Sequence, residues 1–412
     1  MKQSLTPLFP TWNLQNKNVL VRIDANIPVS NGLITSDFKL RAIQKTLDAL
    51  TVMGANITIL THIGHPSGPD PDYSTAPIAD WLAKKGYTCT VLENVRFDAR
   101  EYAESLSYAQ ELKNGHDYYI TDAWGCLHRP QTSITILPEL FAPDKRSIGY
   151  LVAREYATLS GLRENPKRPF VLFLGGGKLR TKIPLLQDFI TNKLANTLVL
   201  LPAIANTFLQ AMGRPVGHSL VGPELIPLAK KIIEQAQANQ VKLVLPVDFV
   251  VLENLENQKV PLARSCPSTS SGRAGFDIES PGSGTEKLLV INGQEIPENA
   301  MSVSCGPRSL EIYRELVAQA QTIVYNGPMG LPEYPDTFTA TNELINLLAD
   351  APGYRVLAGG DTLAVAERQQ VLNRFNFCST GGGATLALLG NCKLPGLVPF
   401  IAPASDKRTK AK

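Results

Sequence analysis

Short apolar runs recur along this chain, and between them lie stretches whose apolar residues return every three or four positions. That alternation predicts strands each followed by a helix, and hence parallel sheets covered by helices. The runs at 18–23, 56–61, 88–92, 117–121, 170–174, 196–201, 241–246, 321–325 and 354–358 read as strands. After Asp37, the positions Leu40, Ile43, Leu47 and Leu50 share one helical face, which stops at Gly54. The next helix has Pro77 near its start and Gly86 at its end, the asymmetry that helix termini favour. Near residue 165 the stretch ENPKRP breaks the pattern with two prolines and a charge cluster, which predicts the end of one sheet and the entry to another. The polar, Gly- and Ser-rich stretch at 266–285 reads as a surface insertion, and the tail SDKRTKAK as solvated.

Composition sets ordinary bounds. With 412 residues, 44% hydrophobic and 19% charged, the chain is long enough for two or three domains with sizeable cores. A net charge of +3 is too small to argue for a nucleic-acid or membrane partner, so any positive potential is local. Six cysteines, Cys89, Cys126, Cys266, Cys305, Cys378 and Cys392, are scattered with no CxxC pair and no histidine at metal-ligand spacing. That argues against a zinc site or a disulfide framework and fits a reducing compartment. The N-terminal MKQSLTPLFPTW lacks a continuous apolar signal core, and the longest apolar run, LVLLPAIA, is less than half a membrane span. The expectation is a cytoplasmic protein.

Open α/β sheets bind ligands at the carboxyl ends of their strands, where loops and helix N-termini converge. In the first 130 residues those ends carry basic side chains: Arg22, His62 and His65, Arg96, and His128 with Arg129, with Asp24 and Asn26 beside them. Taken singly, an arginine at a strand end is more often an exposed salt-bridge partner, and Asp24 and Asn26 read as turn formers that bond their own backbone. Their convergence on one sheet edge points instead to an anion held by guanidinium forks. After residue 170 glycine-rich turns take over. In VLFLGGGKLRTK a strand runs into Gly175, Gly176 and Gly177, then Lys178 and Lys182 share a helical face one turn apart. GxxxxGK[ST] is absent, so this is no Walker A loop, and a tight strand-to-helix connection is the plain alternative. In VLAGGDT, Gly359 and Gly360 precede Asp361, a hard oxygen suited to Mg²⁺, and Thr362, able to donate to a phosphate; a helix cap is the bland reading. STGGGATLALL offers Gly381, Gly382 and Gly383 at another helix start, and VYNGPMGLPE a rigid loop with Asn326, Pro328, Gly330 and Glu333. One half thus suits a small anion held by side chains and the other a nucleotide held by main chain, which suggests phosphoryl transfer.

In order and wording, these segments resemble the phosphoglycerate kinase family over nearly the whole chain: VRIDANIP, THIGHP, LENVRF, DAWGCLHR, NPKRPFVLFLGGGKLRTKI, LPVDFVV, YNGPMG, AGGDT, STGGGA and LPG. The resemblance implies an α/β fold of two doubly wound, Rossmann-like parallel-sheet domains joined by a hinge helix. Residues 1–165 would bind 3-phosphoglycerate and residues 166–394 Mg-nucleotide, with the tail 395–412 packing back on the first domain. It further implies reversible phosphoryl transfer between 1,3-bisphosphoglycerate and ADP by a monomer whose partners are 3-phosphoglycerate and ATP or ADP, with Mg²⁺ as cofactor. Carried over by position, Arg22, Asp24, Asn26, Lys39, His62, His65, Arg96, His128 and Arg129 match the substrate contacts. Gly175, Gly176, Lys178, Lys182, Asn326, Pro328, Gly330, Glu333, Gly359, Gly360, Asp361 and Thr362 match the nucleotide contacts, with Asp361 on the metal. Lys39, Lys182, Gly382 and Gly383 match the groups aimed at the transferring phosphoryl.

The departures sit within those same motifs. Lys39 stands where the family has an arginine, with Arg41 two residues on as a candidate substitute; lysine keeps the charge and loses the fork. His65 replaces another arginine, and a reference pKa of about 6.5 would leave it mostly uncharged at neutral pH. Gln131 replaces a histidine, and Leu201, Pro202 and Ala203 replace the glycine triplet beside the adenine. Thr181, Ser304, Ala358 and Ala387 are further changes. These leave a second reading open, a member that binds ligand or partner with little or no turnover. A dehydrogenase is disfavoured, because no GxGxxG follows the first strand.

Overall fold

The computed structural model describes residues 5, 7, 9–30, 32–253, 287–331 and 334–401. Among these, the chain divides into two compact units, one reaching Ser160 and resuming at Lys393, the other running from Gly161 to Cys392. In chain order the first unit contains β1 (Asn18–Ile23), a small hairpin of β2 (Val29–Ser30) and β3 (Leu33–Ile34), α1 (Phe38–Val52), β4 (Asn56–Leu60), α2 (Ala76–Lys84) and β5 (Cys89–Val91). There follow α3 (Leu106–Lys113), β6 (Tyr118–Asp122), the short α4 (Leu137–Glu139), β7 (Arg146–Ile148) and α5 (Tyr150–Glu164), within which the division between units falls.

The main strands form a parallel sheet in the order β5-β4-β1-β6-β7. β1, at its centre, is buried from Val19 onward, as expected of a strand covered on both faces. Val19, Val21 and Ile23 join a core with Leu40, Ile43, Leu47 and Leu50 of α1, the face read from the sequence. Leu20 points the other way, into a second core with Tyr119, Leu137 and Phe141. Each such side chain contributes about 1.5–3 kcal/mol by leaving water. The turn Pro395–Phe400 packs on this unit: Phe400 stacks on Tyr119 at 6.3 Å, and Gly396 N–H donates to Leu127 O at 3.0 Å. Residues 402–412, also assigned to this return from the sequence, lie outside the described residues.

The second unit begins with β8 (Phe170–Leu174), α6 (Leu179–Thr191), β9 (Thr197–Leu200), α7 (Pro202–Ala211), α8 (Ile226–Ala238) and β10 (Lys242–Val244). β11 (Phe249–Glu253), β12 (Lys287–Ile291) and β13 (Ala300–Cys305) come next, followed by α9 (Pro307–Gln319), β14 (Thr322–Asn326) and α10 (Thr339–Ala349). β15 (Tyr354–Ala358), α11 (Gly360–Arg368), β16 (Phe377–Ser379) and α12 (Gly382–Leu389) complete it. A parallel sheet runs β10-β9-β8-β14-β15-β16, and a smaller antiparallel sheet runs β12-β11-β13.

The two parallel sheets agree with the sequence reading, and β1, β8 and β15 have the expected limits. Several expected strands end one or two residues early. Thr61 leaves its ladder because its hydroxyl donates to Ile23 O and accepts from Ala25 N, both at 3.1 Å. β7 and β16 were not foreseen, since three residues carry too little periodicity to register. The antiparallel sheet was not foreseen either; β13 is fully buried yet spells AMSVSC, in which serines interrupt the apolar run. The stretch 266–285 lies outside the described residues. Among the described residues, no helix is long and apolar enough to cross a membrane.

Candidate active site

In the first unit the chain moves from β1 to β4 and β5, then crosses to β6 and β7 on the other side, so the carboxyl end of β1 is a topological switch point. Arg22, the penultimate residue of β1, reaches that point fully buried. It donates Nε–H to Ser133 Oγ at 2.8 Å and Nη2–H to His62 Nδ1 at 3.2 Å. Arginine can only donate, so His62 accepts there and is neutral. Burial, then the charges of Arg96, Arg22 and Lys39, push its pKa well below the usual histidine value. Ser133 is fixed in turn by buried Glu101, which accepts its N–H at 3.0 Å and its hydroxyl at 2.6 Å. Asn26 Oδ1 accepts from Gly64 N at 3.0 Å, tying the β1 and β4 loops together.

Lys39 projects from α1 to Asp24 Oδ2 at 2.9 Å. Arg41, two residues on, leaves the helix in another direction and pairs with Asp37 at 2.7 Å, so it does not stand in for Lys39. Arg96 donates Nη1–H to Gly64 O at 2.7 Å, and the same nitrogen lies 3.1 Å from His65 Nδ1. Its Nε and Nη2 are buried with no acceptor among the described residues. Arg129 donates to His128 Nε2 at 3.1 Å, and burial with the nearby Arg96 charge lowers its pKa to about 10.

Asp24, His62 and Cys126 bring ligand-type atoms within 4.8 Å of one another, a grouping that chain spacing did not reveal. It could in principle receive a soft metal ion. Charge decides otherwise: Asp24 is already paired with Lys39 and His62 faces Arg22, while Arg96 adds a further cation. The pocket carries more cationic than anionic side chains, a balance that suits an anion better than a metal ion. Leaving a buried donor unmet costs about 1–3 kcal/mol, which an anion on Arg96 would relieve.

The second unit repeats the switch-point logic, with β9 and β10 on one side of β8 and β14 on the other. Here main chain lines the crevice. Gly175 N–H donates to Asn326 O at 2.9 Å, and the two backbones run so close that a Cβ on Gly327, at φ +93°, would sit 2.2 Å from Gly175 O. Lys182 Nζ donates to Gly175 O at 2.5 Å. Its stem is partly exposed, but the ammonium is enclosed, and burial followed by the charge of Lys178 lowers its pKa to about 7, with Asp361 opposing. Asn326 donates Nδ2–H to Ala358 O at 2.6 Å and would also touch a Cβ on Gly359 or Gly382, so it gathers the ends of β14, β15 and β16. Its Oδ1 is buried without a partner among the described residues.

Thr362 Oγ1 accepts from Gly327 N at 2.8 Å. Asp361 lies exposed in the first turn of α11, where Gly359 occupies the cap position, so the bland reading of Asp361 as a cap does not hold. Gly382 and Gly383 open α12, with Gly381 as its cap. Gly330, at φ +89°, donates N–H to Val303 O at 2.9 Å just after Pro328. Leu201 caps α7, and its side chain lies against Gly175, thickening that wall. Glu333 lies outside the described residues.

The family model described as phosphoglycerate kinase matches residues 10–88 and 83–391. The chain belongs to the phosphoglycerate kinase family. A phosphoglycerate kinase of Aquifex aeolicus is 33% identical over 411 residues, covering 94% of this chain and 96% of that one. The solved phosphoglycerate kinase of Coxiella burnetii aligns with TM-score 0.71 and 30% identity, covering 94% of this chain and 97% of that one. That of Pyrococcus horikoshii OT3 gives TM-score 0.75 at 24% identity over 95% and 97%, a likeness of fold. Within this family frame, the structure adds Ser133 and Glu101, which hold Arg22. No sequence signal marked them, because they come from loops over 70 positions away that pattern alone cannot pair.

Proposed function

We propose that this chain transfers a phosphoryl group reversibly from the acyl phosphate of 1,3-bisphosphoglycerate to the β-phosphate of MgADP, yielding 3-phosphoglycerate and MgATP, the phosphoglycerate kinase step of glycolysis. The observation that carries this reading is the surplus of buried cation in each unit. Arg96 keeps Nε–H and Nη2–H without an acceptor among the described residues, and burial followed by the charge of Lys178 brings Lys182 to a pKa of about 7 against the pull of Asp361. Family membership supplies the identity of the two anions.

In this reading Arg22, His62, His65, Arg96, His128 and Arg129 receive phosphoglycerate, and Asp24 and Asn26 accept from its hydroxyl. Gly175, Gly176, Lys178, Asn326, Pro328 and Gly330 frame the nucleotide, with Glu333 as a ribose acceptor. Gly359, Gly360 and Thr362 bind its phosphates; Lys39 in the first unit, and Lys182 with the α12 start at Gly382 and Gly383 in the second, are each unit's candidates for neutralising phosphoryl charge. Asp361 would hold Mg²⁺: its carboxylate is a hard, exposed donor not used as a cap, and the ion would supply positive charge to neutralise the nucleotide's phosphates. No general base is required, because the attacking oxygen is an ionised phosphate or carboxylate. Rate then comes from positioning and charge neutralisation. We infer a cytoplasmic monomer acting on small molecules, and the net charge of +3 is too small to argue for a nucleic-acid or membrane partner.

The test is a coupled assay with saturating 3-phosphoglycerate and MgATP, with Lys182→Ala as the blank. Turnover of roughly 1–100 s⁻¹ that vanishes in the variant supports the proposal. Activity no greater than the blank overturns it and favours a protein that only binds.

A further inference from the structure

The turn Ala99–Ala103 lies beside the cationic pocket, and none of its residues belongs to the motifs that mark that pocket. It is held firmly. Asp98 Oδ1 accepts from Arg100 N at 2.9 Å, the Arg100 side chain bridges Asp98 and Glu111 at 2.7 Å each, and Thr132 Oγ1 donates to Arg100 O at 2.7 Å. From this base two neighbours diverge. Glu101 turns inward and fixes Arg22 through Ser133. Tyr102 turns outward: its hydroxyl lies 3.3 Å from His65 Nδ1, and its ring centroid lies 5.7 Å from the Arg96 guanidinium carbon.

Tyr102 is 41% exposed, so water could satisfy its hydroxyl and burial does not explain the contact. What the contact does is orient. An imidazole turns about a broad, roughly two-fold χ2 torsion, and lacks the rigid fork that lets a guanidinium align itself on an anion. A ring beneath Arg96 also holds that guanidinium flat while Gly64 O takes Nη1, leaving Nε and Nη2 presented together. We propose that Tyr102 is a positioning residue for the phosphate of the three-carbon substrate, fixing the His65 ring with its hydroxyl and the Arg96 fork with its face. The inference rests on the proposed phosphoglycerate site.

Tyr102→Phe keeps the ring and removes the hydroxyl; Tyr102→Leu removes both. The expected result is a three- to tenfold rise in KM for 3-phosphoglycerate in the first and about threefold more in the second. kcat, the KM for MgATP and the melting temperature stay at wild-type values. In a His65→Arg background, Tyr102→Phe leaves the phosphoglycerate KM unchanged, because arginine brings its own fork. An unchanged phosphoglycerate KM in both single variants overturns the inference, as does an equal loss for both substrates with a lowered melting temperature, which marks a merely structural role. Calorimetric titration of 3-phosphoglycerate separates this from the parent reading. A wild type that binds but does not turn over sinks the catalytic proposal and leaves Tyr102 to be judged by Kd, whereas a wild type that binds none sinks both.

Discussion

The crevice at β1 is lined by side chains, Arg22, Lys39, His62, His65, Arg96 and Arg129, whereas the crevice at β8 is lined by glycine backbone with Lys182 as its enclosed cation. Both lie where strand order reverses, so one topological rule places them. Their materials differ in how they can change. A side-chain cradle is retuned one residue at a time without moving main chain, and Lys39, His65 and Gln131, the departures expected from the motifs, all fall in that unit. A main-chain cradle depends on backbones in contact, and the glycines that make it, Gly175, Gly327, Gly359 and Gly382, each leave no room for a Cβ. Of the changes expected in this unit, Leu201, Pro202 and Ala203 sit on its wall, whereas Ala358 lies at the end of β15 directly before Gly359.

Gly327→Ala should give the largest effect that separates the two designs. Its Cβ would meet Gly175 O at 2.2 Å and Lys182 Nζ at 2.6 Å in a left-handed conformation, and the carbonyl cannot step aside. A loss of at least about 10³ in kcat/KM for MgATP, with a melting point several degrees lower, is expected from steady-state kinetics and thermal unfolding. Near-normal nucleotide kinetics would show that the backbone contact is not the cradle. Next, Arg96→Lys keeps the charge and loses the fork, so the phosphoglycerate KM should rise about 10²-fold while the MgATP KM holds. If both constants moved together, the side-chain site would not be acting as a separate anion receptor.

Lys39→Arg should be smaller and of opposite sign: kcat rises about three- to tenfold with the phosphoglycerate KM nearly constant, because the gain belongs to the transition state. Arg41→Ala should alter neither, since Arg41 is half-exposed and occupied with Asp37. An unchanged or reduced kcat in Lys39→Arg would mean that the pocket has repacked around lysine. The smallest effect is in protons. Lys182 has a folded pKa near 7, below its unfolded value of about 10.4, so its charged form is disfavoured by folding. Its contribution therefore favours the fold above the unfolded pKa and turns against it as pH falls toward 7. A bound phosphate raises that pKa, so MgADP should take up close to one proton at pH 8–9, read by calorimetry in buffers of different ionisation enthalpy. No uptake would argue that Lys182 is already charged before the nucleotide arrives.

Much of the scaffold was legible because parallel strands buried on both faces must be apolar throughout. NVLVRI and FVLFL announced β1 and β8, and Arg22 stood out as the one charge in an apolar run. The glycines at strand ends were legible for a similar reason, since close backbones exclude everything else. Strands of three residues and the serine-broken β13 carried no such signal.

By itself, then, the sequence determined the two-sheet plan, the carboxyl-edge residues and the family, all of which follow from local apolar period and motif order. Tertiary structure alone decided which of two neighbouring cations faces the pocket. Lys39 and Arg41 differ by two positions, and only the packing of α1 sends one to Asp24 and the other to Asp37. It also decided that Glu101 and Ser133 brace Arg22 and that Tyr102 meets His65, contacts whose partners lie 32 to 111 positions apart. Period and motif are properties of neighbours along the chain, whereas a brace or a charge balance is set by which loops meet at one end of a sheet.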